Sequence, residues 1–138
     1  EIDLIKTLFN YINKTKPDFL LAWNMSFDVP YIIERIKVLG YNPEDIMCHP
    51  DFEHKVVRYY VDELNKNALE ERGDFATISS YTVFLDQMIH FASRRKGQSA
   101  FARFKLDYIG QKVCKVGKLD YSHITTSIAK QGRILYAN

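Results

Sequence analysis

The stretch LLAWNMSFDVPYIIERIKVLG, residues 20–40, decides how the chain is read. A short apolar run, Phe19 to Trp23, suits a strand buried on both faces. Asp28 stands where the N-cap of a following helix is expected, with Pro30 in its first turn. Tyr31, Ile32, Ile36 and Leu39 give that helix an apolar face, and Gly40 is its natural C′ residue. In open α/β sheets, sites form just beyond the carboxyl ends of strands, and Asn24, Phe27 and Asp28 fall there. As a cap, the carboxylate contributes about 0.5–2 kcal/mol. As a site residue, it is a hard oxygen ligand for Mg²⁺ or Mn²⁺. Beside it Asn24 is a hydrogen-bonding amide and Phe27 a surface for a base or the core. The residue types alone leave both readings open.

Working outward, Ile2, Ile5, Leu8, Phe9 and Ile12 recur at helical spacing over residues 2–13, and Lys16-Pro17-Asp18 ends that helix. Pro43-Glu44-Asp45 opens a short helical turn. KVVRYYV, residues 55–61, favours strand through its β-branched and aromatic residues. FATISSYTVFL, residues 75–85, reads as a second strand bent around Ser79-Ser80. The polar stretch 62–74 between them makes residues 50–85 a hairpin-like excursion. Asp86 to Arg95 returns to helical spacing with Met88, Ile89 and Ala92 inward. Residues 96–100 read as loop, Phe104 to Val113 as a helix, and Ser122 to Gln131 as another. This order of elements fits α/β or α+β, with one or two buried strands, and α/β is the fold class expected.

A chain of 138 residues is long enough for one domain with a real core. Its charge, 19 Lys+Arg against 17 Asp+Glu for a net +2, does not by itself announce a nucleic-acid binder. An anionic partner must then be held by local patches or by metal ions. Cys48 and Cys114 read as reduced thiols of a cytoplasmic protein. Cys48-His49 with His54 lacks the second pair that a four-ligand zinc site needs. No apolar run approaches the roughly 20 residues of a membrane span. The first residues already follow a helical pattern and the last show no closing signal, so the sequence reads as a piece of something longer.

PDFLLAWNMSFDVPYIIERI, residues 17–36, resembles the second exonuclease motif of family B DNA polymerases: Asn, two or three fillers, Phe-Asp, then Pro-Tyr and a helix. VFLDQMIHFA, residues 83–92, resembles the strand and helix that follow the hairpin in that domain. FKLDYIGQKVCKVGKLDY, residues 104–121, is similar to its next helix and Gly-Lys-Leu turn. Three blocks in the right order are far more specific than one. The resemblance implies a ribonuclease-H-like 3′→5′ proofreading exonuclease domain, in which four acids hold two divalent metals about 3.5–4 Å apart. Asp28 carries over as one of those acids, catalytic and metal-ligating. Asn24 and Phe27 carry over as residues shaping the pocket for a single-stranded DNA 3′ end.

The family's other two motifs are expected outside the chain. Glu1-Ile2-Asp3 reverses the Asp-x-Glu order of the first, and no Tyr-x-x-x-Asp follows Tyr121 or Tyr136. The expectation is a partial fold with central strands missing upstream and little nuclease activity alone. Phe19–Trp23 then has an open edge, and the expectation is self-association through it or a rearranged sheet. Two rivals remain: a nuclease of the same superfamily acting without a polymerase, and a non-catalytic α/β binding module in which Asp28 only caps a helix.

Asp86, at a strand end, reads as a helix N-cap rather than a further metal ligand. Arg94-Arg95-Lys96 reads as a solvated helix end. Lys105, Lys112, Lys115 and Lys118 fit surface solubility as well as a DNA-facing run. Tyr59-Tyr60 reads as cross-strand packing rather than a base-stacking platform. His90 and His123 read as structural.

Overall fold

The computed structural model describes residues 1–65, 67–96 and 104–117. The chain divides into two compact units, Glu1–Ser99 and Ala100–Asn138. The 96–100 loop beyond Lys96, the turn from Lys118 onward and the helix expected at 122–131 lie outside the described residues.

The first unit opens with α1 (Ile2–Thr15), whose Phe9 and Ile12 are buried. Lys16 closes it in a left-handed conformation, its N–H returning to the Ile12 carbonyl, and Pro17 cannot continue the helix. Strand β1 (Phe19–Ala22) follows, then α2 (Met25–Val38) and the single turn α3 (Pro43–Met47). Helix α2 buries Met25, Val29, Ile33 and Ile36, one stripe at helical spacing. Its end is a Schellman motif: the Tyr41 N–H bonds the Ile36 carbonyl, the Gly40 N–H bonds that of Lys37, and Gly40 has φ 83°.

Helix α2 starts earlier than its sequence suggests. Asn24, not Asp28, occupies the N-cap position, with φ 67° and ψ 56°. Asparagine tolerates this left-handed region better than most side chains. Asp28 therefore lies inside the helix as its fourth residue. Pro30 sits in the second turn, not the first, at the cost of one internal hydrogen bond.

Strands β2 (Val57–Tyr60) and β3 (Phe75–Ile78) form an antiparallel pair, while β4 (Val83–Asp86) runs parallel to β1. The strand expected over 75–85, bent around Ser79-Ser80, is thus two strands in two sheets, parted at that bend. Ser79 is the hinge. Its N–H donates to the Val56 carbonyl and its own carbonyl accepts from His49. Its hydroxyl accepts from the Val56 N–H and donates to the His54 carbonyl. The pair β2–β3 packs by its inner face, Val57, Tyr59, Ala76 and Ile78, against a core built from Phe9, Ile12, Met25, Val29, Ile33, Ile36, Ile46, Met47 and Phe84. On the outer face Tyr60 stacks on its cross-strand partner Phe75 at 4.9 Å.

The loop between β2 and β3 is held by two acids. Asp62 accepts from the Asn65 N–H and side-chain amide and from the Gly73 N–H. These donors keep its carboxyl below the usual carboxylate range, Asn65 contributing most. The Asp74 side chain is fully buried and accepts from the Asp62 N–H, from Arg72 and, at 3.5 Å, from the Tyr59 hydroxyl. Burial, with Asp74 and Asp86 adding to it, pushes the Tyr59 phenol well above its ordinary range. A short 3₁₀ turn, Leu69–Glu71, brings the loop back to helix α4 (Gln87–Ser93), and Glu71 pairs with Lys96 at 2.7 Å.

The β1–β4 sheet has unequal faces. Leu20, Ala22, Phe84 and Asp86 point to the core side. Phe19, Leu21, Val83 and Leu85, paired across the register, are 60%, 56%, 51% and 38% exposed. The expectation of a strand buried on both faces therefore does not hold. Alternation along a strand puts successive side chains on opposite faces, and only one face meets α2 and the hairpin.

Cys48 and Cys114 are free thiols, the first buried and the second exposed. Burial raises the Cys48 thiol above its usual range. His49 packs edge-on to Tyr81 at 4.9 Å. In the second unit, α5 (Leu106–Ile109) continues into a wider turn, Gly110–Cys114, in place of the single helix expected over 104–113. A side chain at Gly110 would lie 2.7 Å from the Val116 carbonyl oxygen, so only glycine fits there. Lys115 bonds the Lys112 carbonyl, and Lys112 lies over the Tyr108 ring. Among the described residues no helix is long and apolar enough to cross a membrane.

Removing the Asp74 carboxylate would strand the buried part of Arg72 and the Asp62 N–H. Asp74→Ala is expected to lower the unfolding free energy by about 3 kcal/mol. Arg58→Ala, on the exposed strand face, should stay within about 0.5 kcal/mol. Urea titration of both variants checks this, and equal losses would remove the special place given to Asp74.

Candidate active site

Because β1 and β4 are parallel with Ala22 opposite Asp86, their carboxyl ends lie together. Two helices start from that edge: α2 after a two-residue link, and α4 directly after β4. This is the location where an α/β fold places ligands. The link residue Trp23 packs on Phe91 of α4 at 5.7 Å, and the Arg95 guanidinium lies 3.7 Å from the centre of the same Phe91 ring.

The structure brings Asn24, Phe27 and Asp28 onto one helical turn at this edge. Asn24 does not cap α2 with its side chain. Its amide oxygen instead accepts from the Ser26 hydroxyl at 3.1 Å. Phe27 is exposed and lies nearly parallel to Tyr31 one turn on, with ring centres 6.0 Å apart. Asp28 is partly exposed, and its carboxylate takes no hydrogen bond or ion pair from the other described residues.

Asp86 behaves differently. It is 8% exposed. One oxygen accepts from the Met88 and Ile89 N–H groups, capping α4. The other accepts from the Met25 N–H at 2.7 Å. Both oxygens face donors, so Asp86 is a structural carboxylate and not a spare metal ligand. The cap was expected from the sequence. The bond to Met25, 61 positions away, was not, because nothing local announces it. The Phe27–Tyr31 stack does have a sequence signal, its i,i+4 spacing on a helix.

A pair of divalent metals needs several carboxylates converging on one point. Among the described residues no group of three or more His, Cys, Asp or Glu side chains does so. Asp28 offers one ligand. The described residues therefore do not make a metal cage by themselves.

Asp28, as the fourth helical residue, interacts with the helix dipole but does not act as the cap, so its contribution to folding is small. Asp28→Asn is expected to shift stability by less than about 1 kcal/mol, measured by thermal and urea unfolding. A loss above about 2 kcal/mol would show that the carboxylate is structural.

No curated protein matches the chain. The family model described as DNA polymerase family B, exonuclease domain, matches residues 1–109. That span takes in β1, the Asn24–Asp28 turn, the hairpin, β4 with Asp86, and α5. It stops short of the Gly-Lys-Leu-Asp-Tyr sequence at 117–121. The chain, over more than three quarters of its 138 residues, belongs to the exonuclease domain family of the family B DNA polymerases, and its α/β fold is ribonuclease-H-like.

Proposed function

We propose that this chain takes part in 3′→5′ removal of nucleotides from a single-stranded DNA end, the proofreading reaction of a DNA polymerase. Asp28 is the carboxylate it contributes to phosphodiester hydrolysis that depends on Mg²⁺ or Mn²⁺, with the remaining acids supplied from outside the described residues. Asn24 and Phe27 shape the pocket for the 3′ end. Asn24 offers an amide at the mouth of the site, and Phe27 presents an exposed ring, backed by Tyr31, on which a base can stack.

The observation that carries this reading is a partly exposed carboxylate, without a bonded partner among the described residues, at the carboxyl edge of a parallel strand pair, within a family match. A helix cap needs that carboxylate at the N-cap position, and Asn24 is there instead. The family match also weighs against a non-catalytic binding module, and its polymerase affiliation against a nuclease acting alone.

In the polymerase that carries this chain, Asp28→Ala is expected to slow trimming of a single-stranded 3′ end at least about 100-fold. Polymerisation should be untouched. The 138-residue chain alone should trim nothing above background, because among its described residues it brings one acid to the site. Normal trimming by the Asp28→Ala polymerase, or Asp28-dependent trimming by the isolated chain, would overturn the proposal.

Self-association belongs to the same proposal. Among the described residues β1 pairs only with β4, so its other edge carries free N–H and C=O groups beside exposed Phe19 and Leu21. Sedimentation velocity of the isolated chain should show a species that grows with concentration. A monomer throughout the micromolar range would refute this.

A further inference from the structure

We infer that Asp86 is a positioning residue for the nuclease site, holding the turn that carries Asn24, Phe27 and Asp28. This inference rests on the proposed nuclease role of Asp28.

Helix α2 has no side-chain cap of its own. The residue at its N-cap position, Asn24, has turned its amide oxygen to the Ser26 hydroxyl. The first N–H of the helix, that of Met25, is buried and bonded instead to Asp86 at 2.7 Å. The Asp86 carboxylate is itself fixed by the Met88 and Ile89 N–H groups and by its place at the end of β4. Met25 is 1% exposed, so the helix start is held by a packed side chain and a charge-assisted hydrogen bond together. Asp28 lies three residues further along, about 4.5 Å up the axis. Any tilt or fraying at Met25 moves its carboxylate directly, and a displacement of about 1 Å can cost about 100-fold in rate.

The two functions of Asp86 can be separated. Serine caps a helix about as well as aspartate, but its hydroxyl is too short to serve α4 and also reach Met25. In Asp86→Ser the Met25 amide should exchange with solvent at least about 10-fold faster, while Met88 and Ile89 stay within about 3-fold. In the polymerase, kcat for 3′ trimming should fall at least about 10-fold, with KM for single-stranded DNA within about 3-fold and polymerisation unchanged.

Asp86→Asn is the second variant, and decides the matter where the serine variant does not fold. It keeps the size of the side chain and leaves one oxygen to share between the two helices. Across the folded variants, loss of kcat should track faster exchange at Met25. Normal kcat despite faster Met25 exchange would overturn the inference, and so would a fall in kcat with Met25 still protected. Trimming that survives Asp28→Ala would instead sink the nuclease reading itself. Dead Asp28→Ala beside fully active Asp86→Ser, with Met25 exchange accelerated, removes only the positioning role.

Discussion

One buried carboxylate ties the starts of two helices to the end of a strand. Asp86 ends β4, caps α4 and bonds the first N–H of α2, so three backbone donors from two helices converge on it. The charge is tolerable in a buried place because each helix start offers unsatisfied N–H groups and a positive dipole end. The arrangement needs β1 and β4 to be parallel and in register, since only then do Ala22 and Asp86 lie side by side with both helices leaving the same edge. The register is set in turn by which residues face the core. A slip of one position would turn Phe84 outward and Leu85 inward.

The hairpin contributes to the same construction. Its inner face fills the space against α2. Its connecting loop is fastened by Asp62 and Asp74 and returns to α4 through the Glu71–Lys96 pair. Tyr59 points to the core and to Asp74, which leaves Tyr60 and Phe75 as the exposed aromatic pair. Polar composition made residues 62–74 look like open loop. Within that stretch Asp62 and Asp74 are bonded by local N–H, amide and guanidinium donors.

Elements that depend on local pattern were legible in the sequence. The apolar spacing of α1, the Gly40 end of α2 and the Asp86 cap of α4 each follow from a few neighbouring residues. Elements that depend on distant partners were not. At Met25, where α2 begins, the N–H is bonded to Asp86, 61 positions away, and the preceding Asn24 takes a left-handed backbone. Pattern reading placed the N-cap at Asp28, four residues late. FATISSYTVFL reads as one strand bent around Ser79-Ser80 because strand-forming residues continue on both sides of the bend. The break is imposed by Ser79 bonding Val56, His49 and His54, all at least 23 positions away. The half-exposed face of β1 likewise depends on what lies beside the sheet, a fact no apolar run records. At the site itself, the position of Asp28 beyond a strand end was readable, whereas its freedom from structural bonds was not.

That freedom bears on the chemistry. Asp62, Asp74 and Asp86 are acids put to structural use, and each meets two or more donors from the surrounding chain. A carboxylate bonded in this way has its lone pairs spent and is a poor ligand for anything that arrives later. Asp28 sits in the first turn of a helix, where donors are plentiful, yet its offset from the N-cap keeps it out of their reach. The helix start at Met25 is what creates that offset. Had α2 begun at Asp28, the same carboxylate would have been consumed by the N–H groups of its own helix. With α2 starting at Met25, the Asp28 oxygens keep no bonded partner among the described residues.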